Sequence, residues 1–365
     1  MSPRQTRSAK TESPAARQKL SAGRKLLFAL ATVTLFFVVV EGLLRVAGIQ
    51  IVSDVEEMEF TFPIDDYNNS APEPFLRRDP ELFWTPRPGV AGHNSLGFIG
   101  PEFSPEKPDD VFRIVCIGDS CTHFGPQSYP EILQQLLDQA RNSETPNSGA
   151  LNDRKVEVIN AGVIGYTSYQ GLTLMRSKVA NWQPDLVTVY FGWNDHWLAR
   201  GLEDNQQTNN SPGTASRMLG SLRSVQLARM LTGGLTADGQ PKPRVALTDY
   251  RSNLTEIANL CRSLKCQCWF ITAPHAMDLS IPDYLMTSGE VADPSQLIPL
   301  HQSYNAAVRE VAERTASSLI DLESSIDALP KQSLFLEDHI HFTLAGRRYA
   351  AEQIAAKIGP SIGTE

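Results

Sequence analysis

The longest apolar run in the chain spans Leu26 to Val40, fifteen residues without a charge, and apolar character resumes after Glu41 through Leu44. A helix over these nineteen residues is about long enough to cross a bilayer core. From Val111 onward the pattern changes. Short, nearly continuous apolar runs at 111–118, 156–162, 185–192, 266–274 and 318–322 read as buried strands. Between and after them, apolar residues at helical spacing predict helices over 128–140, 168–181, 248–265, 300–316 and 343–358; Ile132, Leu133, Leu136 and Leu137 mark the first. Strands and helices in alternation imply a parallel sheet covered on both faces. Two segments break the pattern. Residues 49–110, rich in Pro, Asp and Glu, read as a juxtamembrane stalk that partly packs on the domain after it, and 196–245, polar with scattered Gly and Pro, as an insertion.

Charge gives the apolar run a direction. Arg4, Arg7, Lys10, Arg17, Lys19, Arg24 and Lys25 precede it against Glu12 alone, although the whole chain carries −8. A basic flank predicts a cytoplasmic N-terminus and export of everything after Leu44. A cleaved signal peptide and a buried core helix are the competing readings; Arg45 spoils the obvious cleavage site at Val46-Ala47. The acidic remainder argues against nucleic acid as a partner, because phosphate binding needs basic stripes. Cys261, Cys266 and Cys268 match no zinc spacing and read with Cys116 and Cys121 as buried thiols, with one bridge from Cys261 left open. His93, His123, His196 and His301 have no partner at ligand spacing, so neither metal nor cofactor is expected.

Chemistry concentrates where active sites of parallel sheets lie, at the carboxyl ends of the strands. The first strand ends in Gly118-Asp119-Ser120, the second in Asn160-Ala161-Gly162, and the third in Gly192-Trp193-Asn194-Asp195; Asp338 and His341 follow the last. Serine is a poor nucleophile until an imidazole takes its proton and a carboxylate holds that imidazole in one tautomer. Asp338 and His341, three apart, can face the same way; His339 is the weaker competitor for the role. The bland readings are a helix N-cap for Ser120 and turn residues for Gly162 and Asn194.

These four blocks, in this order and strand context, resemble the SGNH (GDSL-type) hydrolases over about residues 111–360. The resemblance implies a three-layer α/β/α, flavodoxin-like fold with a five-stranded parallel sheet, here preceded by one transmembrane helix. It implies Ser120 as nucleophile, His341 as general base and Asp338 as its orienting acid, with Ser120 and Gly162 N–H groups and the Asn194 amide as oxyanion hole. Asp119 reads as a turn residue bonded to local N–H groups. Cys121 stands where the family tetrapeptide has leucine, and Phe342 where proline is frequent. Trp193, Trp197, Tyr166 and Tyr169 fall on cleft loops where a sugar could stack, although such rings are more often packing, and His275 falls near the cleft rim with a surface role favoured.

The resulting expectation is a membrane-anchored, extracytoplasmic serine esterase: tail 1–25, anchor 26–48, stalk 49–110, catalytic domain 111–365. Its partners are the membrane, through the N-terminal helix, and an ester substrate, either O-acyl groups on envelope or extracellular glycans or a lipid ester. An O-acyltransferase with the same triad, and a catalytically silent envelope-binding protein of the same fold, are the alternatives.

Overall fold

The computed structural model of the chain describes residues 21–47, 68–142, 154–199, 203–207, 222–224, 242–287 and 290–361. The basic tail before residue 21, the start of the stalk and most of the 196–245 insertion lie outside the described residues. Helix α1 (Ala22–Val46) comes first, then an antiparallel hairpin of β1 (Leu76–Asp79) and β2 (Phe83–Pro86). The body follows as β3 (Val111–Gly118), α2 (Ser120–His123), α3 (Tyr129–Asn142), β4 (Lys155–Gly162), α4 (Ser168–Ser177), β5 (Leu186–Tyr190) and α5 (Trp193–His196). It closes with α6 (Leu247–Ser263), β6 (Gln267–Ile271), α7 (Leu297–Thr315), β7 (Ser318–Ile320) and α8 (Leu344–Ser361).

Five strands form one sheet in the order β4-β3-β5-β6-β7, parallel at every pairing. Alternation along each strand splits the core in two. Val115, Ile117, Val187, Val189 and Phe270 point into one apolar cluster with residues of α4, α6 and α7; Ile114, Cys116, Leu186, Trp269 and Ile271 point into the other, with residues of α3 and α8. This is the three-layer α/β/α, flavodoxin-like arrangement expected from the strand runs. β3 is buried at every position, as a strand covered on both faces must be. The strand order reverses beside β3, so the loops after β3 and β5 flank the crevice where such sheets bind ligands. Strand β4 lies at one edge of the sheet. There the Gln134 side chain of α3 donates to the Val156 carbonyl (3.0 Å) and accepts from the Val158 N–H (2.7 Å).

The segment before β3 is bound into this body. Leu76, Leu82, Phe83, Trp84 and Phe98 join the first core cluster, and Trp84 has no exposed surface. The fully buried Arg113 ties the approach to the sheet, donating to the Ser104 and Pro105 carbonyls and pairing with Glu157 at 2.6 Å. Helix α1 is different. Its apolar side chains face outward, Leu27 being 65% and Phe28 60% exposed. Residues 23–46 are long and apolar enough to cross a membrane, a property a signal sequence shares.

Candidate active site

Gly118 ends β3 where a Cβ would press within 2.7 Å of the Tyr190 carbonyl, so the chain turns directly under β5. Asp119 caps α2, accepting the Cys121 N–H at 2.8 Å, and places Ser120 in the first position of a one-turn helix. Ser120 Oγ lies 2.7 Å from His341 Nε2. His341 Nδ1 lies 2.8 Å from Asp338 Oδ2, and Asp338 Oδ1 accepts the N–H groups of Ile340 (2.9 Å) and His341 (2.8 Å). The Asp338 side chain thus organises its own loop and the imidazole together. Burial alone would raise its pKa, but the His341 contact and the two N–H groups outweigh that and hold it below the ordinary value. An ionised Asp338 fixes the proton on Nδ1, leaving Nε2 free to accept from Ser120. His339 turns away, with φ +61° and Nδ1 2.7 Å from the Ser280 carbonyl.

The loop after β5 supplies Asn194, whose Nδ2 donates to Asp119 Oδ2 at 3.2 Å. The Ser120 N–H makes no hydrogen bond among the described residues. Serine, imidazole, carboxylate and a side-chain amide from strand ends far apart in sequence therefore meet in one place, as acyl transfer requires. The model of the GDSL-like lipase/acylhydrolase family matches residues 116–349, most of the chain.

The chain belongs to the GDSL-like lipase/acylhydrolase family. Membership brings the reaction class, hydrolysis of ester bonds. Similar solved structures include a lipase/acylhydrolase from Enterococcus faecalis, 18% identical, covering 68% of this chain and 95% of that chain at a TM-score of 0.44. A putative GDSL-like lipase from Parabacteroides merdae is 16% identical and covers 71% and 100%, also at 0.44. A variant of an acetyl xylan esterase from Geobacillus stearothermophilus is 16% identical and covers 72% and 98% at 0.40. No curated protein matches the chain.

Within this GDSL-like site one expected donor is misplaced. Gly162 is the last residue of β4, and its N–H is taken by the Asn160 side chain at 3.0 Å. Its carbonyl accepts from His123 Nδ1 at 3.0 Å, and a Cβ there would lie 2.6 Å from the His123 backbone nitrogen and 2.7 Å from Thr122 Cβ. Gly162 is small so that β4 can lie against α2, not so that it can face an oxyanion. Gly162→Ala should therefore cost about 1–3 kcal/mol of stability, read as a lower denaturant midpoint. Three residues on, Gly165 adopts φ +77° in the turn closed by Tyr166 N–H to Val163 O (3.2 Å). Its N–H makes no hydrogen bond among the described residues. A glycine just past the strand, where a turn needs positive φ, was the signal for it.

Trp193, Trp197 and Tyr166 are buried, with Trp193 stacked 3.9 Å from His301, whose Nδ1 meets His196 Nε2 at 2.9 Å. Tyr169 stacks on Phe83. These rings are packing, not a sugar platform. His275 is buried rather than on the surface, accepting the Met277 N–H. All five cysteines are buried free thiols; burial, then the nearby Asp119 and Asp338 charges, push the Cys121 thiol far up, so it is inert beside the serine. Among the described residues no group of three or more His, Cys, Asp or Glu side chains is arranged to hold a metal.

Proposed function

We propose that the protein is a membrane-anchored serine esterase that cleaves carboxylic esters through an acyl-Ser120 intermediate. The observation that carries this reading is the continuous chain from Ser120 Oγ to His341 (2.7 Å) to Asp338 (2.8 Å). Ser120 Oγ attacks the ester carbonyl as His341 Nε2 takes its proton. The charge developing on the carbonyl oxygen is met by the N–H groups of Ser120 and Gly165 and by the Asn194 amide, with Gly165 in the place expected of Gly162. His341 then protonates the departing alkoxide, releasing the alcohol and leaving Ser120 acylated. Water, deprotonated by His341, repeats the sequence and frees the carboxylic acid.

The finer assignments rest on sequence and topology. Residues 1–25 are a cytoplasmic tail, 26–48 the anchor, 49–110 the segment leading into the body and 111–365 the catalytic domain, held outside the cytoplasm. The supports are the exposed apolar face of α1 and the basic residues before it. O-acyl groups on envelope or extracellular glycans are the proposed substrates. A fluorophosphonate should label Ser120 in the folded protein, and acetylated glycan should release acetate faster than long-chain esters release acid. Failure to label would sink the serine mechanism, and preference for long chains the glycan assignment. A reporter fused after residue 60 that works only in the cytoplasm would reverse the orientation.

A further inference from the structure

A trans peptide is planar, with its C=O and N–H pointing in opposite directions, so whatever binds the carbonyl also aims the amide hydrogen. The N–H of Gly165 belongs to the Ile164–Gly165 peptide. The carbonyl of that peptide accepts the Trp84 indole N–H at 3.0 Å. Trp84 comes from the hairpin, before the start of the family-matched region, and is fully buried. The tie is reciprocal, since the Tyr166 hydroxyl donates back to the Trp84 carbonyl at 2.6 Å, with the two rings edge to face at 5.6 Å.

The next carbonyl is held as well. Arg244 Nη1 donates to Gly165 O at 2.8 Å, and its guanidinium lies 5.7 Å from the Trp84 ring centre. Buried Asp204 pairs with Arg244 at 3.0 Å and accepts the Thr167 hydroxyl at 2.8 Å. At the other end of the turn, Val163 N–H donates to Gly118 O at 3.0 Å, two residues before Ser120. The turn is thus hung between the nucleophile's own strand and a clamp on its two central carbonyls.

We infer that Trp84 is a positioning residue of the esterase: its indole N–H, with Arg244 on the adjoining carbonyl, locks the peptide whose N–H stabilises the oxyanion. The inference rests on the proposed role of Gly165. A donor that must rotate into place as charge develops is worth less than one already fixed there. The hairpin is therefore part of the working site although it touches no substrate.

The test compares the full-length protein with Trp84→Phe, and with benzothienylalanine at position 84, which keeps the shape of the indole and removes only its N–H. Trp182→Phe, another buried indole in the same core cluster, is the packing control. Both changes at Trp84 should lower kcat about tenfold or more with KM unchanged. They should weaken a boronic acid that forms a tetrahedral adduct on Ser120 by the same factor, while Trp182→Phe alters stability alone. A folded benzothienylalanine protein with kcat and boronate affinity within about twofold of the parent would overturn the inference, even if Trp84→Phe does not fold. Ser120→Ala separates the two layers: if it retains turnover the serine mechanism fails, and if it is inactive while position 84 is neutral only the positioning role fails.

Discussion

Ser120→Ala and His341→Ala are each expected to lower ester turnover on the order of 10⁴- to 10⁶-fold, and the double variant little further. The two side chains act as one unit, so removing either leaves only what binding and oxyanion stabilisation supply. Asp338→Asn should cost less than either while keeping the fold. An asparagine oxygen can still accept the N–H groups of Ile340 and His341, now at 2.9 and 2.8 Å, but its NH₂ then faces His341 Nδ1 and forces the ring proton onto Nε2, a loss of about 10⁴-fold, at the low end of the range for the other two. Steady-state kinetics on a chromogenic ester, with circular dichroism to establish folding, measures all four variants. Multiplicative losses in the double variant would mean that Ser120 and His341 do not act in one step.

The second large effect is expected from a residue that never meets substrate. Asp119 is buried, with Oδ1 on the Cys121 N–H and Oδ2 on Asn194 Nδ2. In Asp119→Asn the oxygen stays with Cys121 and the new NH₂ faces the Asn194 NH₂. Two donors repel, so Asn194 turns over and presents its oxygen to the developing oxyanion. Turnover should fall about 10²- to 10³-fold, the usual loss for one oxyanion donor. Stability should move the other way with pH. Burial pushes the Asp119 carboxyl up to about 6 from its ordinary 3.8, against the hydrogen bonds that favour ionisation. Below about pH 4 neither state is ionised and there is no penalty. Between about 4 and 6 the unfolded chain gives up this proton while the folded one keeps it, so stability falls as pH rises. Above about 6 the full penalty is present, about 3 kcal/mol. Asp119→Asn has no carboxyl to strain, so its stability relative to the parent should rise by about that amount between pH 4 and pH 8 in denaturant titrations. A pH-independent difference would mean that the carboxylate is not strained by burial.

Much of this was legible in the sequence, for identifiable reasons. Runs such as Val111–Gly118 are apolar without alternation because both faces are covered, and that signal survives without any knowledge of partners. Asp338 and His341 were legible because their contact is local, three residues apart, whereas the 2.7 Å contact of His341 with Ser120 spans the whole domain. The hairpin was not legible. Its strands are four residues long, one reading Leu-Arg-Arg-Asp and the other ending in proline, and neither alternates. Gly162 is the glycine the sequence singles out, and nothing in it says that the Asn160 side chain will take the Gly162 N–H and leave that of Gly165 free of a partner among the described residues. The aromatic loop residues were ambiguous for a similar reason: Trp193 and His301 are distant in sequence, and only the fold stacks them.

A parallel sheet that is not closed into a barrel leaves two rows of unpaired backbone groups, and each is a template on which another chain can add a strand. Here β7, at one border, is only three residues long, too short to nucleate much pairing. The longer border, β4, meets the Gln134 amide, which takes the Val156 carbonyl and the Val158 N–H as a neighbouring strand would. One side chain thus imitates a peptide bond and leaves an incoming strand no ladder to extend at that point. With those two groups occupied, β4 offers less of the open ladder through which sheets self-associate, the hazard any densely crowded protein with an open β edge must meet.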